Sequence, residues 1–204
     1  SGYNQYGSDL VDPTSTLYSD ELDTVLLFLD GDELLRSLLY EVPTRESGSR
    51  AEASFEELLQ ILEGYVQNKG PVTLVMNNLA LTPYNFLTYL DSNTLFSFSE
   101  LENELNRRLK GFSGKFNNVL LLDWQRVVRQ HGFDNLYDER FWYLGRVRLN
   151  NRGFAFLKKE FDRLINAYRG QTKKVLVLDL DNTLWGGVLG EDGMDGIELS
   201  EDGI

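Results

Sequence analysis

The sequence contains no cysteine, one histidine and four prolines among its 204 residues. The absence of cysteine excludes disulfides, thiolate metal sites and a cysteine nucleophile, and it fits a reducing compartment. No apolar run approaches the roughly 18 residues that a membrane-spanning helix needs, and the N-terminal residues lack the basic and apolar pattern of a signal peptide. We therefore expect a cytoplasmic protein with no membrane partner.

Positive charge is also scarce, because 20 Lys and Arg oppose 32 Asp and Glu, for a net charge of −12. An acidic chain is repelled by the phosphate backbone of nucleic acids, so we expect no nucleic-acid partner. The hydrophobic fraction of 42% is typical of a globular protein and excludes collagen and low-complexity classes. The length leaves room for one domain, or for one domain and part of another.

The charge is unevenly divided along the chain. Residues 1–106 carry 4 basic and 18 acidic side chains, residues 107–174 carry 16 and 6, and residues 175–204 carry none and 8. An anionic partner would dock on the basic middle section, for example at Arg146 and Arg148. The alternative, which we favour, is that these side chains cover solvated helix faces.

Four short apolar runs, at residues 25–29, 72–76, 119–122 and 175–178, predict strands. Each run is continuous rather than alternating, which is typical of buried strands in a parallel sheet. Apolar residues recur at helical spacing between the runs, so strands alternate with helices. This order predicts an α/β fold, a three-layer sandwich around a mostly parallel sheet, with a binding edge at the carboxyl ends of the strands.

Helix boundaries are predicted from capping signals. Ser54 and Ser99 each precede a glutamate by three residues, which is the spacing of a capping box and predicts a helix start at both places. A third helix is expected over residues 151–168, ended by Gly170.

The fourth apolar run leads directly into two carboxylates, Asp179 and Asp181. Two neighbouring acids repel each other unless a cation lies between them, and a hard, oxygen-preferring ion such as Mg²⁺ fits that need. With a phosphate held there, one carboxylate can attack phosphorus while the other transfers protons. Gly186 and Gly187 let the chain turn sharply nearby. Alternatively, such acids simply mark the end of a strand and are exposed to solvent in the turn that follows.

More residues of this segment agree with the phosphate interpretation. Four aliphatic residues followed by Asp179-Leu180-Asp181-Asn182-Thr183-Leu184 resemble the first motif of the haloacid dehalogenase-like (HAD) superfamily of aspartate-nucleophile phosphotransferases. The continuation from Trp185 to Gly193 is similar to that of the FkbH-like branch.

The resemblance implies a role for each matching position. Asp179 would be the nucleophile and a Mg²⁺ ligand, and Asp181 would be the acid/base, with its backbone carbonyl on the metal. The backbone amides of Leu180 and Asp181 would hold phosphoryl oxygens. Thr183, together with Gly186 and Gly187, would shape the substrate-binding loop.

The resemblance to FkbH-like proteins implies a specific activity and specific partners. They are associated with taking a glyceryl unit from 1,3-bisphosphoglycerate, a phosphorylated three-carbon substrate, and loading it onto an acyl carrier protein in polyketide-type biosynthesis. Only 25 residues follow Asp179, so the family's later Ser/Thr, Lys and acidic metal ligand are beyond this chain. We expect an inactive fragment that ends inside its phosphatase domain.

The region before this motif resembles the SGNH-hydrolase fold, which is flavodoxin-like, at residues 3–6, 12–18, 138–143 and 151–153. We predict a degenerate SGNH-like domain over residues 1–170 and the start of a HAD-type Rossmann-like domain over 171–204. A working SGNH enzyme needs a Gly-Asp-Ser nucleophile and a later Asp-x-x-His, and both are missing. A free-standing SGNH esterase is therefore disfavoured.

Two interpretations of the first domain stay open. The amides of Asn77 and Asn78 and the cluster from Arg140 to Arg148 invite a binding role, as a module for a carrier protein or an acyl substrate. Alternatively, Trp142 and Tyr143 seal the core beneath the arginines. His131 is expected to stabilise a helix C-terminus rather than to act in catalysis.

Overall fold

The computed structural model describes residues 6–39, 44–171 and 189–193. Contacts divide the chain into two units, Ser1–Leu164 and Ile165–Ile204. The first unit contains the sheet and nearly all of the described helices. The domain boundary predicted after residue 170 stays a prediction.

Three parallel strands form the sheet, in the order β1 (Thr24–Leu27), β2 (Thr73–Asn77) and β3 (Val119–Leu122). These strands confirm three of the four apolar runs, whereas the run at 175–178 lies outside the described residues. Burial is strongest in the central strand, because β2 is covered by a strand on each side. The edge strand β1 departs from the prediction of full burial, since Leu26 is 39% exposed.

Helices connect and flank the strands. The described helices are α1 (Tyr6–Val11), α2 (Gly31–Leu34), α3 (Arg36–Leu39), α4 (Arg45–Lys69), α5 (Phe98–Ser113), α6 (Trp124–His131), α7 (Phe133–Leu136), α8 (Glu139–Gly145), α9 (Asn151–Tyr168) and α10 (Leu189–Asp192). Short 3₁₀ helices span Thr16–Tyr18 and Thr88–Asn93. The α/β fold with a small parallel sheet is therefore as predicted, and no described helix is long and apolar enough to cross a membrane.

The main core lies between the sheet and the two long helices α4 and α5. Leu62 of α4 and Leu105 of α5 are completely buried, as their helical spacing predicts. Leu74 and Met76 join the same cluster from alternate positions of β2. This packing fixes the strands, and therefore the edge where they end.

Both predicted helix starts are wrong, because other residues make the caps. Thr44 rather than Ser54 caps α4: its Oγ1 accepts the Ser47 amide at 3.1 Å, and Ser47 Oγ accepts the Thr44 amide at 2.7 Å. Ser97 rather than Ser99 caps α5. In α4 a serine replaces the glutamate of the usual capping box, and the usual sequence pattern therefore does not identify the cap at Thr44.

The predicted helix over residues 151–168 is confirmed at both ends, and Gly170 follows it with φ +69°. Its first turn packs very closely on the preceding segment. A Cβ atom at Gly153 would collide with the carbonyl oxygen of Leu136 and press on a methyl of Leu149. Only glycine permits this approach.

Two glycine substitutions test that packing. We expect Gly153→Ala to lower the free energy of unfolding by about 1–3 kcal/mol, because the added methyl meets rigid backbone. Gly64→Ala, in α4 with open space around it, should instead raise the free energy of unfolding by up to about 1 kcal/mol. Urea unfolding monitored by circular dichroism measures both. Equal effects of the two substitutions would contradict the close approach at Gly153.

Candidate functional site

The carboxyl ends of the three strands lie at one edge of the sheet and are linked by asparagine side chains. The buried Asn77 amide donates to the Leu29 carbonyl at 2.9 Å and accepts the Leu29 amide at 2.6 Å. Asn78 donates to the Asp123 carboxylate and accepts the amide of Gln125, both at 2.8 Å. Both asparagines thus bind other parts of the chain, which opposes the ligand-binding role considered for them from the sequence.

A buried ion pair holds the loops together above this edge. The carboxylate of Asp32 is 1% exposed and lies 2.6 Å from the guanidinium of Arg148, which is 2% exposed. Asp32 also accepts the backbone amide of Thr82 at 2.8 Å. Glu139 contacts Arg148 at 3.3 Å, and Asp30 lies 3.9 Å away from it. The helix α2, the loop after β2 and the segment after α8 therefore meet at one charge pair.

Three arginines surround the indole ring of Trp142. The guanidinium carbons of Arg36, Arg146 and Arg148 lie 4.7, 5.1 and 5.1 Å from its centroid, within cation–π range. Trp142 is buried, as one of the two interpretations predicted, but Tyr143 is 82% exposed and does not seal the core. Burial of Arg148 also contradicts both surface roles considered for it, as an anion dock and as a solvated face.

Burial dominates the electrostatics of the two aspartates. It raises the pKa of Asp32 to about 7, helped by the charges of Asp30 and Glu139 and opposed by the Thr82 amide and Arg148. Burial likewise raises the pKa of Asp30, against the lowering influence of Arg148 and of backbone amides in α2. A proton can therefore be gained or lost at Asp32 near neutral pH.

A cavity of about 260 Å³ opens beside this ion pair. Its lining is mainly apolar, with acidic and basic side chains at intervals: Tyr6, Phe28, Asp30, Glu33, Leu34, Arg146, Val147, Arg148, Leu149 and Phe154. Within the described part of the chain, the buried Oε2 of Glu33 accepts no hydrogen bond. Arg36 Nη1 lies 3.8 Å from this oxygen. A buried oxygen without a hydrogen bond is a rare feature in a folded protein.

Ser15, His131 and Asp138 are of the residue types that hydrolases use, and each makes contacts within the chain. Ser15 Oγ donates to a backbone carbonyl at 2.7 Å and caps a 3₁₀ helix. His131 ends α6, as predicted, and stacks on Phe156 with the ring centroids 3.9 Å apart. Asp138 binds Arg140 at 2.6 Å. Each of these three side chains is therefore engaged in a contact within the chain.

The predicted phosphotransfer residues cannot be placed in this geometry. All of them lie outside the described residues: Asp179, Leu180, Asp181, Thr183, Gly186 and Gly187. Within residues 6–39, 44–171 and 189–193, no group of three His, Asp or Glu side chains is arranged to hold a metal ion. The assignment of these residues stays a prediction.

Asp30, Asp32 and Glu33 were not among the site residues predicted from the sequence. A signal was present, because these acids follow the apolar run of β1 directly, at the end of a parallel strand. Their partner Arg148 lies 116 residues further along the chain from Asp32, at a distance where no local pattern connects the two.

No protein-family model and no curated protein matches the chain. Among solved structures, the chain is similar to the N-terminal part of the protein BF1531 from Bacteroides fragilis, which contains a phosphatase domain and is complexed with Mg. The likeness has a TM-score of 0.77 at 23% identity and covers 100% of this chain and 52% of the other. It establishes the fold, and this chain spans about half the length of that neighbour.

The raised pKa of Asp32 predicts a pH dependence that Asp32→Asn removes. The pKa of Asp32 is about 7 in the folded protein, whereas that of an unfolded aspartate is about 4. Between these two pH values the folded state therefore holds one more proton than the unfolded state. The free energy of unfolding of the wild type, minus that of the variant, should therefore fall as pH rises through this range. The limiting slope is about 1.4 kcal/mol per pH unit. Urea unfolding at several pH values measures this difference, and an increase over the range would contradict the prediction.

Proposed function

We propose that this chain belongs to a Mg²⁺-dependent phosphotransferase of the HAD superfamily, of the FkbH-like kind. The observation that carries the proposal is the order of residues 175–187, an apolar run followed by Asp179-Leu180-Asp181-Asn182-Thr183 and, after two further residues, a pair of glycines. The fold likeness to part of a protein that contains a phosphatase domain complexed with Mg supports it.

The proposed chemistry uses two carboxylates with separate roles. Asp179 attacks the phosphorus atom of the substrate, forming an aspartyl phosphate and releasing the leaving group. Asp181 gives a proton to that leaving group and then takes one from the water that hydrolyses the aspartyl phosphate. The Leu180 and Asp181 amides orient the phosphoryl oxygens, and Thr183 shapes the loop.

The donor set of this segment fits Mg²⁺, because carboxylate and carbonyl oxygens are the ligands that this ion prefers. Asp179 would supply a side-chain oxygen and Asp181 a backbone carbonyl. When bound, the ion would neutralise negative charge on the phosphoryl group.

The finer proposal concerns substrate and partner. An FkbH-like protein takes the glyceryl unit of 1,3-bisphosphoglycerate, removes phosphate and loads the unit as a thioester on an acyl carrier protein. The phosphatase step follows from the aspartate motif, while the loading step and its polyketide-type pathway depend on the FkbH-like continuation at residues 185–193.

A second candidate function is a non-catalytic one for the first unit, as a binding or scaffold module. The cavity beside the Asp32–Arg148 pair favours it, because a mainly apolar pocket at the carboxyl edge of a parallel sheet is a common ligand site. This role is compatible with a phosphotransferase elsewhere in the same protein.

The phosphotransfer proposal is tested by substitution in the full-length protein that contains this chain. We expect Asp179→Asn to lower the kcat for phosphate release by about 10⁴-fold or more, because the nucleophile is lost. Asp181→Asn should lower it by about 10²–10⁴-fold, because proton transfer is lost. Asp162→Asn, at an exposed position of α9, is the matched control and should leave the rate unchanged. The measurement is phosphate release from 1,3-bisphosphoglycerate with and without Mg²⁺.

Two readouts separate the levels of the proposal. Full activity of Asp179→Asn, or full activity of the wild type in EDTA, would refute the aspartate phosphotransferase. Phosphate release without a glyceryl thioester on any acyl carrier protein, as measured by intact-protein mass spectrometry, would refute only the loading step. Phosphatase activity of the 204-residue chain alone would overturn the expectation that this chain is an inactive fragment.

A further inference from the structure

Arg146, at the edge of the cavity beside the ion pair, has an unfavourable backbone conformation. It ends α8 in the left-handed region, with φ +57°, and its backbone N–H donates to the Trp142 carbonyl at 2.9 Å. Glycine usually takes this position, because a Cβ atom makes the conformation costly for other residues. Backbone outliers of this kind cluster at functional sites, and so the side chain of Arg146 is a candidate for a binding role.

The guanidinium of Arg146 lines this cavity without an ion-pair partner. Its carbon lies 5.1 Å from the centroid of the Trp142 ring, and no carboxylate in the described part of the chain lies within ion-pair distance of it. Arg148, by contrast, is committed to Asp32 at 2.6 Å. Arg146 therefore has donors available for a group that enters the cavity.

The acidic side chains of the cavity are engaged by their own surroundings. Asp30 uses Oδ1 to cap α2, accepting the amides of Asp32 and Glu33 at 3.1 and 3.4 Å. The Oε2 of Glu33 is buried and lies 3.8 Å from Arg36 Nη1. Burial raises the pKa of Asp30, which favours its neutral form. The two acids therefore oppose an anion at Arg146 less than their number suggests.

Tyr6 adds a second donor to the lining of the cavity. Burial raises the pKa of its phenol, and the charges of Glu33 and Asp30 raise it further, so the phenol keeps its proton at neutral pH. A protonated phenol donates a hydrogen bond to a carboxylate, and so does a guanidinium. The polar part of the lining thus offers donors from α1 and from the end of α8.

The remaining lining is mostly apolar, and parts of it are held in place by neighbouring groups. It includes Phe28, Val147, Leu149 and Phe154. Phe28 packs edge-on against the Trp124 ring, with the centroids 5.6 Å apart. The volume of about 260 Å³ is just below the usual range for ligand pockets, so a small organic molecule fits better than a large cofactor.

We infer that this cavity binds a small carboxylic acid in its anionic form, with the carboxylate at Arg146 and Tyr6 and the apolar body against Phe28, Leu149 and Phe154. A guanidinium presents parallel donors that match the two oxygens of a carboxylate. The inference rests on the second candidate function, ligand binding by the first unit, and it names the class of ligand. It uses none of the residues proposed for phosphotransfer.

Titration with three probes, followed by isothermal titration calorimetry, tests the inference. The probe 3-phenylpropionate has both a carboxylate and an apolar body, 3-phenylpropanamide has nearly the same shape without the charge, and acetate lacks the ring. We expect 3-phenylpropionate to bind at least about tenfold more tightly than the amide, because its hydrogen bonds to Arg146 are charge-assisted. It should also bind at least about tenfold more tightly than acetate, because acetate buries no ring.

Two substitutions of Arg146 separate binding from folding. Arg146→Gln should weaken the binding of 3-phenylpropionate about tenfold or more and change that of the amide by less than about twofold, because only the charge is lost. Arg146→Gly should lose the same preference for the acid. It should nevertheless unfold at a higher temperature than Arg146→Gln, because glycine adopts the left-handed conformation without strain.

Two further variants locate the ligand. Phe154→Ala should weaken the binding of 3-phenylpropionate and of the amide by similar factors, because both probes lose apolar contact. Arg107→Gln, at an exposed position of α5, is the matched control for the loss of an arginine and should leave both affinities unchanged.

Three results would overturn the inference: equal binding of the acid and the amide, binding of 3-phenylpropionate that survives Arg146→Gln, and acetate that binds as tightly as 3-phenylpropionate. With equal binding of the acid and the amide, the cavity still takes a ligand, and so the second candidate function stands. If neither 3-phenylpropionate nor the amide binds, the inference fails, and the result counts against the second candidate function as well.

Discussion

The ion pair of Asp32 and Arg148 is the interaction on which the upper edge of this fold depends. Both groups are almost completely buried, so each would carry a large desolvation penalty without the other. The pair connects α2, the loop that follows β2 and the segment that follows α8. Because Thr82 contributes a backbone amide, the loop conformation is fixed at the same point as the charges. Apolar packing joins α2 to the loop at the same place, because Gly31 lies close against Leu79 and Leu81.

The same pair explains why charged side chains accumulate around an otherwise apolar cavity. A buried guanidinium attracts further acids, here Glu139 and Asp30, and it lies within cation–π range of Trp142. Hydrophobic replacements of similar volume often give equal or greater stability than a buried ion pair does. Retention of charge at this place is therefore better understood as a constraint on loop geometry and on what can enter the cavity than as a source of stability.

Local patterns predicted much of the fold and little of the site in the first unit. Continuous apolar runs located β1, β2 and β3, and helical spacing located α9 at both of its ends, because these signals depend on neighbours in sequence. The cap of α4 was mistaken because Ser47 takes the place of a glutamate, whereas for α5 the cap was placed two residues too late, at Ser99 instead of Ser97. The burial of Arg148 could not be predicted, because it depends on an acid 116 residues away, brought close only by the sheet topology. The motif at Asp179, in contrast, is contiguous in sequence and could therefore be identified from the sequence, but it lies outside the described residues.

The side chain of Asn77 has a consequence for the shape of the sheet edge. It donates to and accepts from the backbone of Leu29, two residues after β1 ends, in the way that a neighbouring peptide group would. The Asn77 side chain thereby extends the β1–β2 hydrogen-bond ladder by one pair of bonds, in which it takes the place of strand backbone. Such a pair fixes the position of Leu29 without requiring extended dihedral angles in the residues that follow. The chain can therefore turn at Asp30 into α2. The pairing of β1 with β2 thus continues to Leu29 while the chain turns into α2, and both the N–H and the C=O of Leu29 are hydrogen-bonded.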